Sequence, residues 1–313
     1  MRPDLLAAFA LSAFVLLVPS SGRPHDLAGL GDLSVKLDKR INHAQMQRLA
    51  QREKNEGKRY VLARLLLWEP GHVLLSCFMN GTNEEKQLIV ETAAELLKDK
   101  GANISFDFGP APAYRPCSIP PRGADVRISF ADPCCAAFVG TKSLLENVRD
   151  GPSVKLKGIL NYDDAKRRQI VMHELLHVLG FEHEHKSPDV FCEPELKKDV
   201  VLALTGWLDA EYKANIEQLD QSSHSYKWSK YDDKSIMTYH FDPTAFKKGK
   251  DSACYAGENL TPSETDVAGL RDAYPANPSR SNVETRGVLS TLAGPNLPSV
   301  VIELAREIRA RSQ

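Results

Sequence analysis

His173, Glu174, His177, Gly180 and His183 stand at the spacing HExxHxxGxxH. On a helix His173 and His177 lie one turn apart on one face, so both imidazoles can reach a single metal ion. Glu174 is too close in sequence to be a third ligand of that geometry, but it leans over the same site. Gly180 is expected to stop the helix, because only glycine takes a positive φ there without a steric cost. The chain then turns back and His183 supplies a third nitrogen. Three protein ligands leave the fourth tetrahedral position of a zinc ion open, which marks a catalytic rather than a structural site. The plain alternative is a buried amphipathic helix with incidental histidines. Five specified positions at roughly one in twenty each, over about 300 starts, make a chance match on the order of one chain in ten thousand.

Such a site suits amide hydrolysis. Zinc brings the pKa of a bound water toward neutrality, and Glu174 is the expected general base that takes the proton and passes it to the departing amine. Downstream, Ser235–Ile236–Met237–Thr238–Tyr239 places a methionine turn, and Glu184 directly follows His183. Motif and turn together resemble the metzincin metalloproteases, and Glu184 with Ser-Ile-Met-x-Tyr resembles their astacin subfamily. Ala124–Phe130 and Ala137–Thr141 look like that family's paired strands above the cleft, and Leu260–Tyr274 like its closing helix. The resemblance covers about residues 60–275. It departs in two places: no Cys follows Tyr274, and Gly257–Glu258–Asn259 replaces the usual Gly-Gln-Arg.

The resemblance implies roles for further residues. Tyr239 matches a tyrosine that ligates resting zinc and swings away to hydrogen-bond the intermediate; a Tyr merely packed beside the turn is the alternative. Met237 would form an apolar floor under the histidines. Ala137–Thr141 would be an edge strand to which an extended substrate adds backbone to backbone, against the alternative of an interior strand. The remaining histidines, His25, His43, His72, His185, His224 and His240, read as surface or packing residues. His185 alternates with His183 and could pass for a ligand, but the Gly180 turn favours His183.

The elements that must position this site are α+β in pattern. Val61–Trp68 and Val73–Met79 are apolar runs split by Pro70–Gly71 and predict two strands. Glu84–Lys100 has helical spacing with Gly101 as its cap. Alternation at Ile104, Phe106 and Phe108 and at Val126, Ile128 and Phe130 predicts half-buried strands, with another short one at Val154–Leu160. The metal-binding helix, starting near Asp164, is apolar nearly all round and should be central and buried. Beyond His183 a helix is expected at Leu196–Thr205 among Tyr/Trp/Ser-rich loops. The expected architecture is therefore metzincin-like: a mixed twisted sheet with the buried zinc helix above, and an irregular, loop-rich lower half with a closing helix.

Around this domain, Leu5–Val18 is a short apolar run behind Arg2, fitting a secretory signal over residues 1–22 rather than a membrane span. Residues 23–59 are polar and end at Lys58–Arg59, which reads as a propeptide or N-terminal arm. By resemblance, Asp32 of Gly31–Asp32 would block the zinc before cleavage, although the residues before it do not match the family's aromatic and a solvated acid in a linker is the alternative; a new amino terminus at Tyr60 would settle near Glu184. Residues 60–275 form the catalytic domain, and 276–313 have linker-and-tail composition. Six cysteines in a secreted chain predict three disulfides out of fifteen connectivities. Adjacent Cys134 and Cys135 are expected to bond elsewhere, with Cys192 joined to Cys254 and the other four paired among themselves. Asn80, Asn103 and Asn259 head glycosylation sequons. A net charge of −1 gives no case for nucleic acid or an anionic membrane as partner. The reading is a secreted zinc-dependent endopeptidase acting on protein or peptide substrates. Its rivals are a catalytically silent astacin-like binding protein, although no ligand and no Glu is lost, and a zinc hydrolase of non-peptide substrates.

Overall fold

The computed structural model describes residues 60–121, 123–145, 148–219 and 226–276. The expected signal, propeptide with Asp32, and most of the C-terminal tail lie outside the described residues. Five strands build the main sheet: β2 (Val73–Phe78), β3 (Ser105–Asp107), β4 (Val126–Ser129), β5 (Ala136–Ala137) and β6 (Val154–Lys155), in the order β3-β2-β4-β6-β5. All pairings are parallel except β5–β6, where Ala137 faces Val154. This is the mixed sheet that the sequence predicts. A separate two-stranded ribbon joins β1 (Val61–Ala63) to β7 (Tyr226–Trp228), antiparallel.

The helix predicted at Glu84–Lys100 is α1 (Asn83–Leu97). Thr82 starts it with a capping box: its hydroxyl accepts the Glu85 amide proton, and the Glu85 carboxylate accepts that of Thr82. α1 packs against α2 (Asp164–Val178), the helix that carries the histidine motif. The first turns of α2 are solvated, and Arg168 there meets Asp164, Glu91 and Glu95. From Val171 onward every residue of α2 is buried. The expectation of a central buried helix thus holds for its second half. The sheet, α1, α2 and α5 (Glu264–Ala273) share one apolar core.

β4 is buried on both faces, because Arg127 as well as Val126 and Ile128 points inward. The Arg127 guanidinium donates to backbone oxygens, the carbonyls of Ala124, Ser143, Val148 and Gly151, and so ties the segment after β5 to the sheet. Burial lowers its pKa to about 10.

Several expected strands are shorter than their apolar runs. Val61–Trp68 yields only β1, followed by a 3-10 turn at Arg64–Leu66. The chain bends there so that Trp68 can donate its indole N–H to the Val178 carbonyl at 2.7 Å and Leu67 can lie against Gly180. Ala137–Thr141 keeps just Ala136–Ala137 as strand, and Gly140–Leu144 is a 3-10 turn. Val154–Leu160 likewise ends early, at Lys155.

The lower half holds α3 (Lys198–Thr205), α4 (Asp209–Ile216) and short 3-10 turns. The sequence predicts α3 but reads α4 as loop. A second apolar core forms here from Leu196, Val201, Trp207, Tyr212, Ile216 and Phe246. Cys192–Cys254 staples it. The expected pairing of those two cysteines is present; the expectation for the adjacent pair is not. Cys134 bonds Cys135. Backbone bonds between Phe78 and residues Arg115 and Cys117 bring Cys77 and Cys117 within 4.9 Å at Cα and close that disulfide. Cys134 and Cys135 are left with each other. Among the sequon residues, Asn80 bonds Ser129 and Phe130, and Asn259 donates both amide hydrogens to the carbonyls of Asp233 and Ser235. No helix among the described residues is long and apolar enough to cross a membrane.

Candidate metal centre and active site

α2 begins where the Asp163 carboxylate accepts the Lys166 amide proton, and it delivers His173 and His177 one turn apart at its buried end. The helix ends in a Schellman motif. The Gly180 amide donates to the His177 carbonyl at 2.8 Å, and the Phe181 amide donates to that of Leu176 at 3.0 Å. Gly180 sits at φ +90°, and a Cβ there would press on the Leu67 side chain, so glycine is required twice over. The returning chain is then held to β1: Ala63 donates to the Gly180 carbonyl and Glu182 to that of Val61. His183 follows in extended conformation, aimed back at the helix.

The ring nitrogens converge. His183 Nε2 stands 3.3 Å from His173 Nε2 and 3.1 Å from His177 Nε2. The outer nitrogens of the two helical histidines are spoken for: His173 Nδ1 donates to the Ile236 carbonyl and His177 Nδ1 to that of Phe181, each at 2.8 Å. Those bonds place the protons on Nδ1 and turn the lone pairs of both Nε2 atoms inward. Burial lowers the pKa of His173 to about 3 and of His177 to about 4, so both rings are neutral. Ligands ~2.0–2.1 Å from a tetrahedral zinc stand about 3.3 Å apart, so the donor set fits that ion. Without a cation three convergent lone pairs repel one another. These histidines are also the one group of three or more candidate ligands found together among the described residues.

Glu174 is 3% exposed, and its Oε2 has no hydrogen-bond partner among the described residues. Burial pushes its carboxyl up to about 8. Glu184, equally buried, is differently used: Oε1 accepts the Asp232 amide proton, and the Glu184 amide donates to the Met237 carbonyl. Met237 lies in the main core. The turn that carries it is anchored by Asp266 of α5, whose carboxylate accepts from the Ser235 hydroxyl and the Ile236 amide. The Ile236 peptide therefore links Asp266 on its N–H side to His173 on its carbonyl side. Such outer partners fix the orientation of a ligand ring. Asp266 carries no sequence signal beyond its place in the closing helix.

Tyr239 closes one wall. Its ring lies 4.3 Å from that of His183 and 4.7 Å from that of His185, with Trp207 and Phe241 behind. Its hydroxyl donates to Asn215 Oδ1 at 3.3 Å. Burial first, then the charges of Glu174 and Glu182, raise its pKa well above the usual phenol value. His185 does not join the ligand cluster; its Nε2 donates to the Asn215 carbonyl. It is buried, not superficial. His72 stacks on Trp68 and bonds Asp125, and His240 bonds the Ala256 carbonyl, so both are packing residues. Among the described residues β5 has a strand neighbour on one side only, so the part of Ala137–Thr141 that is strand lies at a sheet edge.

Residues 124–274 match the model of the Astacin peptidase family. The matched stretch is just under half of the chain, and over it the chain is similar to that family. Seminal metalloprotease 1 of Drosophila melanogaster is 30% identical over 115 residues, covering 33% of this chain and 41% of that protein. The chain thus spans about two fifths of the length of this relative. The solved structure of myroilysin matches with a TM-score of 0.56 at 22% identity, covering 70% of this chain and all of that one. This second likeness is one of fold, and the astacin-like architecture expected from the sequence is present.

Proposed function

We propose that this astacin-like protein is a secreted zinc-dependent endopeptidase that cleaves extended protein or peptide substrates. The observation that carries the reading is the meeting of three inward-facing histidine nitrogens with an adjacent buried carboxylate that has an oxygen unpartnered among the described residues. His173, His177 and His183 would hold the ion. Zinc so held supplies Lewis-acid polarisation of a peptide carbonyl and acidifies a water beside it.

The remaining work belongs to side chains. Glu174 Oε2 takes the proton of the attacking water as the C–O bond forms, then gives it to the amine as the C–N bond breaks. Its buried position suits this role, since a carboxyl drawn between its raised value and the field of a nearby cation can titrate close to neutrality. Tyr239 donates its hydroxyl to the oxyanion that develops on the carbonyl oxygen, because a phenol kept neutral by burial is a donor. The open side of β5 offers backbone N–H and C=O groups to an extended substrate, which would lie across the histidines. Domain limits of 1–22 for a signal, 23–59 for a propeptide, 60–275 for the catalytic unit and 276–313 for a tail complete the proposal. Secretion accords with six paired cysteines.

Casein digestion tests the reading. Full chain cut after Arg59 should cleave casein, stop when treated with a chelator and recover when zinc is returned. Cleavage that survives exhaustive chelation, or no cleavage of any unfolded protein by the zinc-loaded chain, would contradict it.

A further inference from the structure

The 3-10 turn Gly140–Leu144, which follows β5, is pinned from several sides. Gly140 sits at φ +51°, where a Cβ would strike the Leu66 carbonyl. The Lys142 amide donates to the Val139 carbonyl at 3.2 Å, and the Ser143 carbonyl accepts from the Arg127 guanidinium at 2.6 Å. The backbone at Lys142 is thus fixed relative to the open edge of β5 and to α2, which packs against both.

Two lysines and one acid gather beside His177. Lys186 is committed: its Nζ lies 3.7 Å from the Glu182 carboxylate and donates to the Ala214 carbonyl at 3.0 Å. Lys142 is half-buried and feels the same carboxylate, yet its ammonium makes no hydrogen bond or ion pair among the described residues. His177, whose pKa is lowered first by burial, is lowered further by the charges of Lys186 and Lys142, so both ammoniums stand close to the ligand cluster. Two cations face one anion, and the charge left over is that of Lys142. A partly desolvated ammonium without an acceptor is unfavourable, and this one waits at the rim of the histidine site.

We propose that Lys142 is a specificity-determining residue that binds an acidic side chain of the substrate on the amino-terminal side of the cleaved bond. The proposal rests on the reading of β5 as the strand to which substrate adds. An added strand pairs more stably antiparallel than parallel, so the substrate runs against β5 and the residues before its cleaved bond lie towards Gly140–Leu144. A carboxylate there meets Lys142 Nζ in a charge-assisted hydrogen bond, stronger for being partly shielded from water. Glu182 repels an incoming acid little, because Lys186 already offsets it. No covalent change occurs at Lys142.

Paired peptides built on a casein cleavage site test this on the zinc-loaded chain cut after Arg59. The pairs differ only in Glu or Gln, placed in turn at the nearest positions on either side of the cleaved bond. At one position before that bond Glu should raise kcat/KM about 10-fold over Gln, mostly through KM. Lys142→Met should bring that ratio to about one while the Gln peptides are cut as by the parent. Lys142→Arg should keep the preference, and Lys142→Glu should turn it towards Lys over Gln. Binding of the same peptides to zinc-loaded Glu174→Ala, with and without Lys142→Met, reads the preference without turnover.

Thermal unfolding identifies a misfolded variant, and Lys142→Gln replaces the Met variant in that case. Equal rates for Glu and Gln at every position before the cleaved bond would overturn the proposal. So would a preference that survives in Lys142→Met. If no peptide is cut but the Glu peptide binds Glu174→Ala more tightly only while Lys142 is present, the reading of the chain as an endopeptidase fails and the acid-binding site stands.

Discussion

Glu174 and Glu184 stand ten residues apart, both nearly sealed from solvent, and the fold treats them oppositely. Glu184 spends an oxygen on the Asp232 amide, whereas Glu174 keeps one free of any described partner. Buried carboxylates ordinarily find donors, so an unsatisfied one beside three converged imidazoles is the residue-scale mark of chemistry. Tyr239 is the second such residue. Tyr239→Phe should lower kcat while zinc content and KM change little, read by steady-state kinetics beside metal analysis. Parallel loss of zinc and activity would make the hydroxyl a metal anchor instead. The three histidines were legible from spacing alone, since a helix followed by a glycine turn leaves few ways to arrange them. Asn215 was not legible. It belongs to a short helix whose surrounding sequence reads as loop, and only the fold brings it to Tyr239.

At the scale of elements, the site depends on how α2 stops. The Gly180 turn points His183 backward, and β1 clamps the returning strand. Gly180→Ala forces a left-handed φ on a residue with a Cβ and pushes that Cβ into Leu67. It should cost about 2 kcal/mol or more of stability and weaken metal binding, seen as a lower Tm and faster zinc loss to a chelator. The strands were legible as apolar runs, but their ends were not. Arg64–Leu66 and Gly140–Leu144 leave strand geometry because Trp68 and the Arg127 carbonyl cage need the chain elsewhere, demands made by residues distant in sequence. β7 carries too short a pattern to be read without its partner β1. Where Trp68 meets β2, His72 bonds Asp125, and this bond raises the pKa of His72 above its ordinary 6.5. A raised folded value means the bond stabilises fully below about pH 6.5 and fades as pH rises through that folded value. Half exposed, it should contribute below about 1 kcal/mol, so the Tm gap between parent and His72→Gln should be small at pH 6 and close by pH 9.

At the scale of the molecule, the described residues form two apolar cores with the histidines between them. The upper core is large and rests on sheet and helices; the lower is small and held by Cys192–Cys254, which closes a span of 62 residues. Removing that bond in a Cys192→Ser, Cys254→Ser protein should cost about 3–4 kcal/mol and loosen the lower half first, detected by protease nicking within residues 187–257. Uniform loss of protection across both halves would contradict this division. The number of disulfides followed from the even cysteine count, but the adjacent pair did not, because the sequence does not disclose that Cys77 meets Cys117.

The central claim is that one metal and one carboxylate in this site cut peptide bonds. Its most direct test compares Glu174→Ala with the parent, each cut after Arg59, for zinc content and casein cleavage. Equal zinc and a rate lowered at least ~10²-fold are expected, the usual scale for loss of a general base. A zinc-loaded Glu174→Ala protein that cleaves as fast as the parent would contradict it.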